Sequence, residues 1–261
     1  GFVGGVVANV GYEDYLQSPR QWEIWRHGAA KAIELGMNVW FYDERHYPSG
    51  SAGGVVTRAH PEFTAVGLAC YTLAATGGQP VRFDLPVSAK ACEGVVACRA
   101  GGESADQPLD LREHLDDWDT LNWTPPEGRW TVYYFARRTM FEGTFATTIP
   151  HGITRMYIDV LNPDAVWAFL RVTHQAYLRE TPPEVWKQID AVFTDEPLLI
   201  APYVGTLPSE REGDQPVLDQ PHFQDRPPSV IWTPAFAERF QEIKSYDLRP
   251  HLRSLFAGTT D

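Results

Sequence analysis

Apolar and polar positions change period several times along the chain, and each change marks an element. Residues 2–9 form a short apolar and β-branched run, which predicts a strand. Over residues 19–35, Trp22, Trp25, Ala29, Ala32 and Ile33 recur near one face at helical spacing, and Gly36 closes the helix. Residues 37–42 are an apolar run of strand length bounded by Gly36 and by charged and turn residues. A helix is predicted over residues 61–75. The resulting β-α-β-α order implies a parallel sheet with crossover helices, as in a barrel or a doubly wound fold.

From about residue 77 to 140 the pattern turns to strand-like alternation with turn signals. Residues 81–85 and 130–135 are its clearest strands, the latter preceded by the turn cluster Pro125-Pro126-Glu127-Gly128. This predicts an inserted β-rich subdomain hung from a βα loop. Downstream, residues 156–160 read as a short strand or rim segment. Residues 163–179 read as a helix with Asn162 as N-cap and Pro163 in its first position. Residues 189–194 form a strand, and a helix follows at 234–244. Between these lies a loop over residues 198–231, dense in Pro, Gly, Asp and Gln, of a length that marks a functional rim. The expected domains are 1–76 and 146–261 for the βα framework and 77–145 for the insertion.

Two of the framework strands run into a pair of acids. Asp43-Glu44 follow residues 37–42, and Asp195-Glu196 follow residues 189–194 and precede Pro197. Side chains at the carboxyl ends of parallel strands converge on one pocket even when far apart in sequence, and alternation lets one acid of each pair face it.

Four motifs occur in a fixed order. They are the run from Tyr42 through Asp43-Glu44-Arg45-His46-Tyr47-Pro48-Ser49 to Gly54, the segment Asp159 to Val166 with Thr173-His174, the run Phe193-Thr194-Asp195-Glu196-Pro197, and Trp232-Thr233-Pro234 followed by Tyr246-Asp247-Leu248-Arg249-Pro250. In this combination the chain resembles the glycoside hydrolases that include the α-L-rhamnosidases of family 106. The resemblance implies a (β/α)8 TIM-type barrel, partial in this chain, within a larger multidomain polypeptide whose later strands carry the complementary base. It also implies an inverting mechanism on a carbohydrate substrate and, in some relatives, Ca2+ as cofactor. No EF-hand spacing is present, so no metal ligand is named.

On that resemblance Glu196 is the general acid: its arm is long, and Pro197 biases its backbone towards an extended form. Asp195 beside it supplies the like charge that keeps a general acid protonated. Asp43 and Glu44 are expected to bind sugar hydroxyls or take a second catalytic role, the alternative being a salt bridge with Arg45 or another base. Tyr42, His46, Tyr47 and Ser49 are expected to line the substrate site. The glycine-rich loop after Ser49 lines a sugar subsite; as a phosphate cradle it lacks the P-loop lysine. His174 satisfies a core hydrogen bond. The competing expectations are a barrel glycosidase for another sugar and a non-catalytic carbohydrate-binding remnant.

Composition narrows the picture further. The chain has 9 Trp and 11 Tyr among 261 residues, an aromatic excess suited to the C–H faces of sugar rings or to a large aromatic core. A formal net charge of −12 excludes the basic footprint of a nucleic-acid binder. No run of about 18 apolar residues is present to span a membrane. Cys70, Cys92 and Cys98 are too few for a zinc site; Cys92 and Cys98 either pair across a hairpin or stay as buried thiols. No signal peptide opens the chain, and the compartment stays open, secreted or periplasmic.

Overall fold

The computed structural model describes residues 4–11, 14–100, 107–141, 148–149, 153–199 and 229–256. In chain order its elements begin with β1 (Gly5–Ala8), α1 (Pro19–Glu34), β2 (Asn38–Tyr42) and α2 (Val55–Ala59). Six strands follow: β3 (Val66–Thr76), β4 (Val81–Phe83), β5 (Ala89–Arg99), β6 (Leu109–Asp110), β7 (Leu121–Trp123) and β8 (Arg129–Thr139). After them come β9 (Thr148–Ile149), β10 (Ile153–Thr154), α3 (Pro163–Val172), α4 (His174–Glu180), α5 (Pro183–Trp186), β11 (Ile189–Phe193), β12 (Ser229–Trp232) and α6 (Phe236–Lys244). The chain divides into two compact units, Gly1–Ala65 with Phe141–Leu199, and Val66–Met140 with Ile200–Asp261.

The first unit is built on a three-stranded parallel sheet of order β1-β2-β11. Helix α1 starts where Ser18 accepts a hydrogen bond from the N–H of Gln21 with Pro19 in the first turn, and it buries Trp22, Trp25, Ala29 and Ala32. Those side chains meet Val39 and Phe41 of β2 and Tyr177 of α4 in one core. The Tyr177 ring stacks on Phe41 at 4.5 Å and receives Trp22 and Trp25 edge-on at 5.2 and 5.1 Å. The alternate residues of the sheet, Val7, Trp40 and Phe193, are exposed on the other face. The described residues contain no closed barrel.

The second unit is a five-stranded antiparallel sheet of order β12-β3-β8-β5-β6 with the pair β4-β7 beside it. Both faces of this sheet are buried. Val95, Ala97, Val132, Tyr134 and Ala136 point into one core with Leu121, Trp123 and Trp130. Their neighbours Val96 and Phe135 point into another with Leu68, Trp232, Ala237, Leu248 and Leu252.

Four expectations are corrected here. Residues 66–75 are strand and not helix; the first half, residues 66–70, is buried on both faces and apolar throughout, so it has no period of two to show. The insertion therefore starts at Val66 and not at 77. The C-terminal segment is not a continuation of the framework: β12 pairs with β3, and α6 with the 3-10 helix Arg249–Leu255 packs on the β sheet. The second boundary, 145/146, and residues 200–228 of the long loop lie outside the described residues. The expected helix 163–179 is two helices, since Thr173 leaves helical geometry (φ −103°, ψ −83°). Asn162 caps the first of them as predicted, accepting from the N–H of Asp164.

Cys92 and Cys98 are free thiols on one strand, β5, so six residues of extended backbone (about 20 Å) separate them and no hairpin joins them. Burial pushes the Cys70 and Cys92 thiols up to about 12, which removes them as nucleophiles.

The strand at 66–76 is directly testable at Gly67, where an added Cβ would lie 2.1 Å from Met140 Sδ and 2.9 Å from the carbonyl oxygen of Val230. Gly67→Ala is expected to cost about 1–3 kcal/mol, read as a fall of several degrees in Tm. A Tm equal to or above that of the parent chain would place residue 67 outside this sheet.

Candidate active site

The carboxylate at the end of β2 does not face a ligand. Glu44 is 0% exposed. Its Oε2 accepts hydrogen bonds from the N–H groups of Gly50, Ser51 and Ala52 at 3.1, 2.7 and 2.7 Å. Its Oε1 accepts from the N–H groups of Gly53 and Arg45 at 2.6 and 2.8 Å and from Arg155 Nη1 at 3.0 Å. Gly50, Gly53 and Gly54 hold positive φ of 138°, 61° and 81°, the left-handed turns that aim successive N–H groups at one point. The nest that the glycine-rich sequence builds is thus filled by the chain's own carboxylate. Burial pushes the Glu44 carboxyl up, while Arg155 and the N–H groups of Gly53, Arg45 and Ala52 pull it down. Because every partner is a donor, none accepts the proton of a neutral acid, and the geometry is that of an ionised carboxylate.

Asp43 is likewise 0% exposed. Its Oδ1 accepts from Ser49 Oγ at 2.6 Å, and its Oδ2 accepts from Thr194 Oγ1 at 2.7 Å and lies 3.0 Å from His174 Nε2. One carboxylate therefore ties the loop after β2, the exit of β11 and the start of α4. Ser49 is as fully used: its N–H donates to the carbonyl of Asp195 at 2.8 Å, and its Oγ accepts from the N–H of Asp195 at 2.9 Å. Asp43, Glu44 and Ser49, expected to contact substrate, are instead fully buried with their oxygens on protein donors. The salt-bridge alternative for Glu44 holds, with Arg155 as the base. His174 makes the core hydrogen bond expected of it.

The second acid pair is presented outwards. Tyr42 OH donates to Asp195 Oδ2 at 3.4 Å, and Tyr47 OH donates to Glu196 Oε2 at 2.9 Å. Glu196 is exposed, and Asp195, Tyr42, His46 and Tyr47 are partly so. Two phenols from the end of β2 thus serve two carboxylates from the end of β11. Burial is the main cause that raises both phenols above their ordinary value, with Asp195 adding to it at Tyr42 and Glu196 at Tyr47, so both stay neutral donors. The backbone of Glu196 is not extended as Pro197 suggested, for its φ is +38°. This left-handed residue interrupts strand alternation and lets Asp195 and Glu196 reach the same group of tyrosines. The ring of His46 stays at the rim, with Nδ1 3.3 Å from the carbonyl of Tyr47.

Four supporting residues were given no role from the sequence. Arg155, with its side chain 1% exposed, donates through Nη2 to the carbonyls of His46 and Tyr47 at 2.6 and 3.0 Å and so sets the segment that bears Tyr47. Tyr157 OH donates to the carbonyl of Ser49 at 2.6 Å and accepts from the N–H of Leu198 at 2.8 Å, bridging the two strand exits. Asn9, just past β1, donates to the carbonyl of Glu44 at 2.8 Å. Thr194 holds Asp43. Each lies far in sequence from its partner, and only Arg155, a lone cation at the edge of an apolar segment, breaks its local pattern.

Behind Asp43 lies a cavity of about 320 Å³ walled by Ile158, Val160, Phe169 and Leu170, with Asp43 and His174 at its polar end. Its apolar walls do not suit a sugar. No group of three or more His, Cys, Asp or Glu side chains placed to hold a metal occurs among the described residues. Asp43 and Glu44 already spend their oxygens on protein donors, which leaves neither of them free to ligate Ca2+.

No protein-family model matches the chain, and no curated protein matches it in sequence. Its fold is similar to that of a rhamnosidase from Novosphingobium sp. PP1Y, at 14% identity and a TM-score of 0.53. The likeness covers 91% of this chain, which spans 36% of the length of that protein.

Glu44→Gln would turn one oxygen of the nest into a donor facing donors and leave Arg155 buried without its counter-charge. The expected loss is about 3–5 kcal/mol of stability, measured as a shift of the urea midpoint. A variant as stable as the parent chain would contradict the structural role given to Glu44.

Proposed function

We propose that this chain carries the acid side of a glycoside hydrolase site of the α-L-rhamnosidase type. Glu196 is the general acid in this reading: it gives its proton to the glycosidic oxygen as the bond to the anomeric carbon breaks. Water attacks that carbon from the opposite face and loses its proton to a base supplied outside the described residues, which inverts the configuration. Tyr47 positions the Glu196 carboxyl, while Asp195, held by Tyr42 and by the backbone of Ser49, binds substrate hydroxyls. The observation that carries the reading is the pair of phenol-to-carboxylate contacts, Tyr42 to Asp195 and Tyr47 to Glu196, in the open at the carboxyl ends of two adjacent parallel strands.

The fold similarity to a rhamnosidase supports the reading at the level of architecture. The same proposal includes a (β/α)8 barrel completed by further strands of a longer polypeptide. Parallel sheets are ordinarily covered on both faces, and here Val7, Trp40 and Phe193 are exposed on the face that a barrel would enclose.

The test is hydrolysis of a panel of p-nitrophenyl glycosides, α-L-rhamnoside included, by the full-length polypeptide that carries these residues, with and without Ca2+. Glu196→Gln is expected to lower kcat/KM on the preferred glycoside by about 10²–10⁴-fold. Tyr47→Phe, which removes one hydrogen bond of about 1 kcal/mol, is expected to lower it about fivefold. Full activity in Glu196→Gln would remove the acid from residue 196. A preference for another sugar would keep the chemistry and change the specificity, and no cleavage of any glycoside would favour a carbohydrate-binding remnant.

A further inference from the structure

Trp118 is 83% exposed, the most exposed aromatic side chain among the described residues, yet the turn that carries it is firmly held. Asp116 Oδ1 accepts from the N–H groups of Trp118 and Thr120 at 2.9 and 3.0 Å, and the N–H of Asp116 donates back to the carbonyl of Thr120 at 3.0 Å. Asp119, in the left-handed region at φ +59°, accepts from the N–H of Cys92 through its carboxylate at 2.9 Å and from Tyr134 OH through its carbonyl at 2.5 Å. The turn is thereby pinned to β5 and β8 from below while the indole stands in solvent. The backbone that carries the ring is already ordered, so binding through it adds only the ordering of the indole itself.

Polar side chains stand exposed beside this turn. Arg82 of β4 lies directly across from Asn122 of β7, and both are exposed. Arg82 Nη2 contacts Asp84 Oδ1 at 2.7 Å, and Thr120 Oγ1 donates to the same oxygen at 3.2 Å. Leu121 and Trp123, the apolar neighbours of Asn122, are buried. The N–H groups of Thr120 and Trp118 hold the Asp116 carboxyl below the usual carboxylate range, so the turn keeps its negative charge.

We propose that the 116–122 turn, with Arg82 and Asp84 beside it, is a binding platform for a neutral sugar chain, whose pyranose C–H face stacks on Trp118 and whose hydroxyls meet Arg82, Asp84 and Asn122. A protein partner of ordinary kind buries a contiguous apolar patch, and here a single ring is set among donors and acceptors. A sugar is amphipathic in the matching way, with one apolar face and a rim of hydroxyls. The carboxylates of Asp84, Asp116, Asp117 and Asp119 and the net charge of −12 repel uronates, which leaves neutral sugars. The platform stands on the second unit alone and does not depend on hydrolysis at Glu196.

The test is affinity electrophoresis of the full chain in native gels cast with xyloglucan, galactomannan, mixed-linkage β-glucan or dextran, and with polygalacturonate. Retardation is expected in at least one neutral gel and not in polygalacturonate. Trp118→Ala is expected to weaken it at least tenfold, and Trp118→Tyr, which keeps a ring, to restore part of it. Because the side chain is exposed, the Tm of each variant should match the parent chain, which separates loss of binding from loss of fold. Absence of retardation in all four neutral gels, equal retardation of Trp118→Ala, or retardation by polygalacturonate alone would overturn the proposal.

Discussion

The first unit depends on one buried ion, the Glu44 carboxylate, and on the donors gathered around it. Taking a carboxylate and a guanidinium out of water costs several kcal/mol each, and the cost is met only where hydrogen bonds saturate both. Here the saturation comes from the backbone: five N–H groups converge on the two oxygens beside Arg155. That demand dictates the left-handed turns at Gly50, Gly53 and Gly54 and packs Ala52 into a core with Val56, Ile158 and Phe169. The same guanidinium takes the carbonyls of His46 and Tyr47, so the position of Tyr47 follows from the ion pair beneath it.

Four acids at two strand ends consequently divide their work. Asp43 and Glu44, from the central strand, are spent on assembly: one joins the loop, β11 and α4, and the other winds the loop. Asp195 and Glu196, from the edge strand, are held by tyrosines and left open to solvent. Such a division suits acid–base chemistry, because a reacting carboxyl must be both exposed and fixed in place. The sequence of contacts from Arg155 through the Tyr47 backbone to Glu196 links the buried half of the arrangement to the exposed half.

Local chemistry was readable where one residue type decided the outcome. The face of α1 from Trp22 to Ala32, the Asn162-Pro163 start of α3 and the two strands ending in acids all follow from periodicity, capping and run length. What could not be read was set by distant partners. Residues 66–70 lose their strand signature because both faces of the strand are buried there. Glu44 looked like a rim acid because Arg155 stands 111 positions away. Pro197 argued for an extended Glu196, and tertiary contacts instead hold it at positive φ. The second acid pair was visible in sequence as a pair at a strand end, whereas the structural character of the first needed the folded loop.

Carbodiimide-driven coupling of glycine ethyl ester, followed by peptide mass spectrometry of the native chain, tests this division most directly, because it reads carboxylate access without requiring activity. The account predicts modification at Asp195 and Glu196 and protection at Asp43 and Glu44 until the chain is unfolded. Rapid labelling of Glu44 in the native chain, or protection of Glu196, would contradict it.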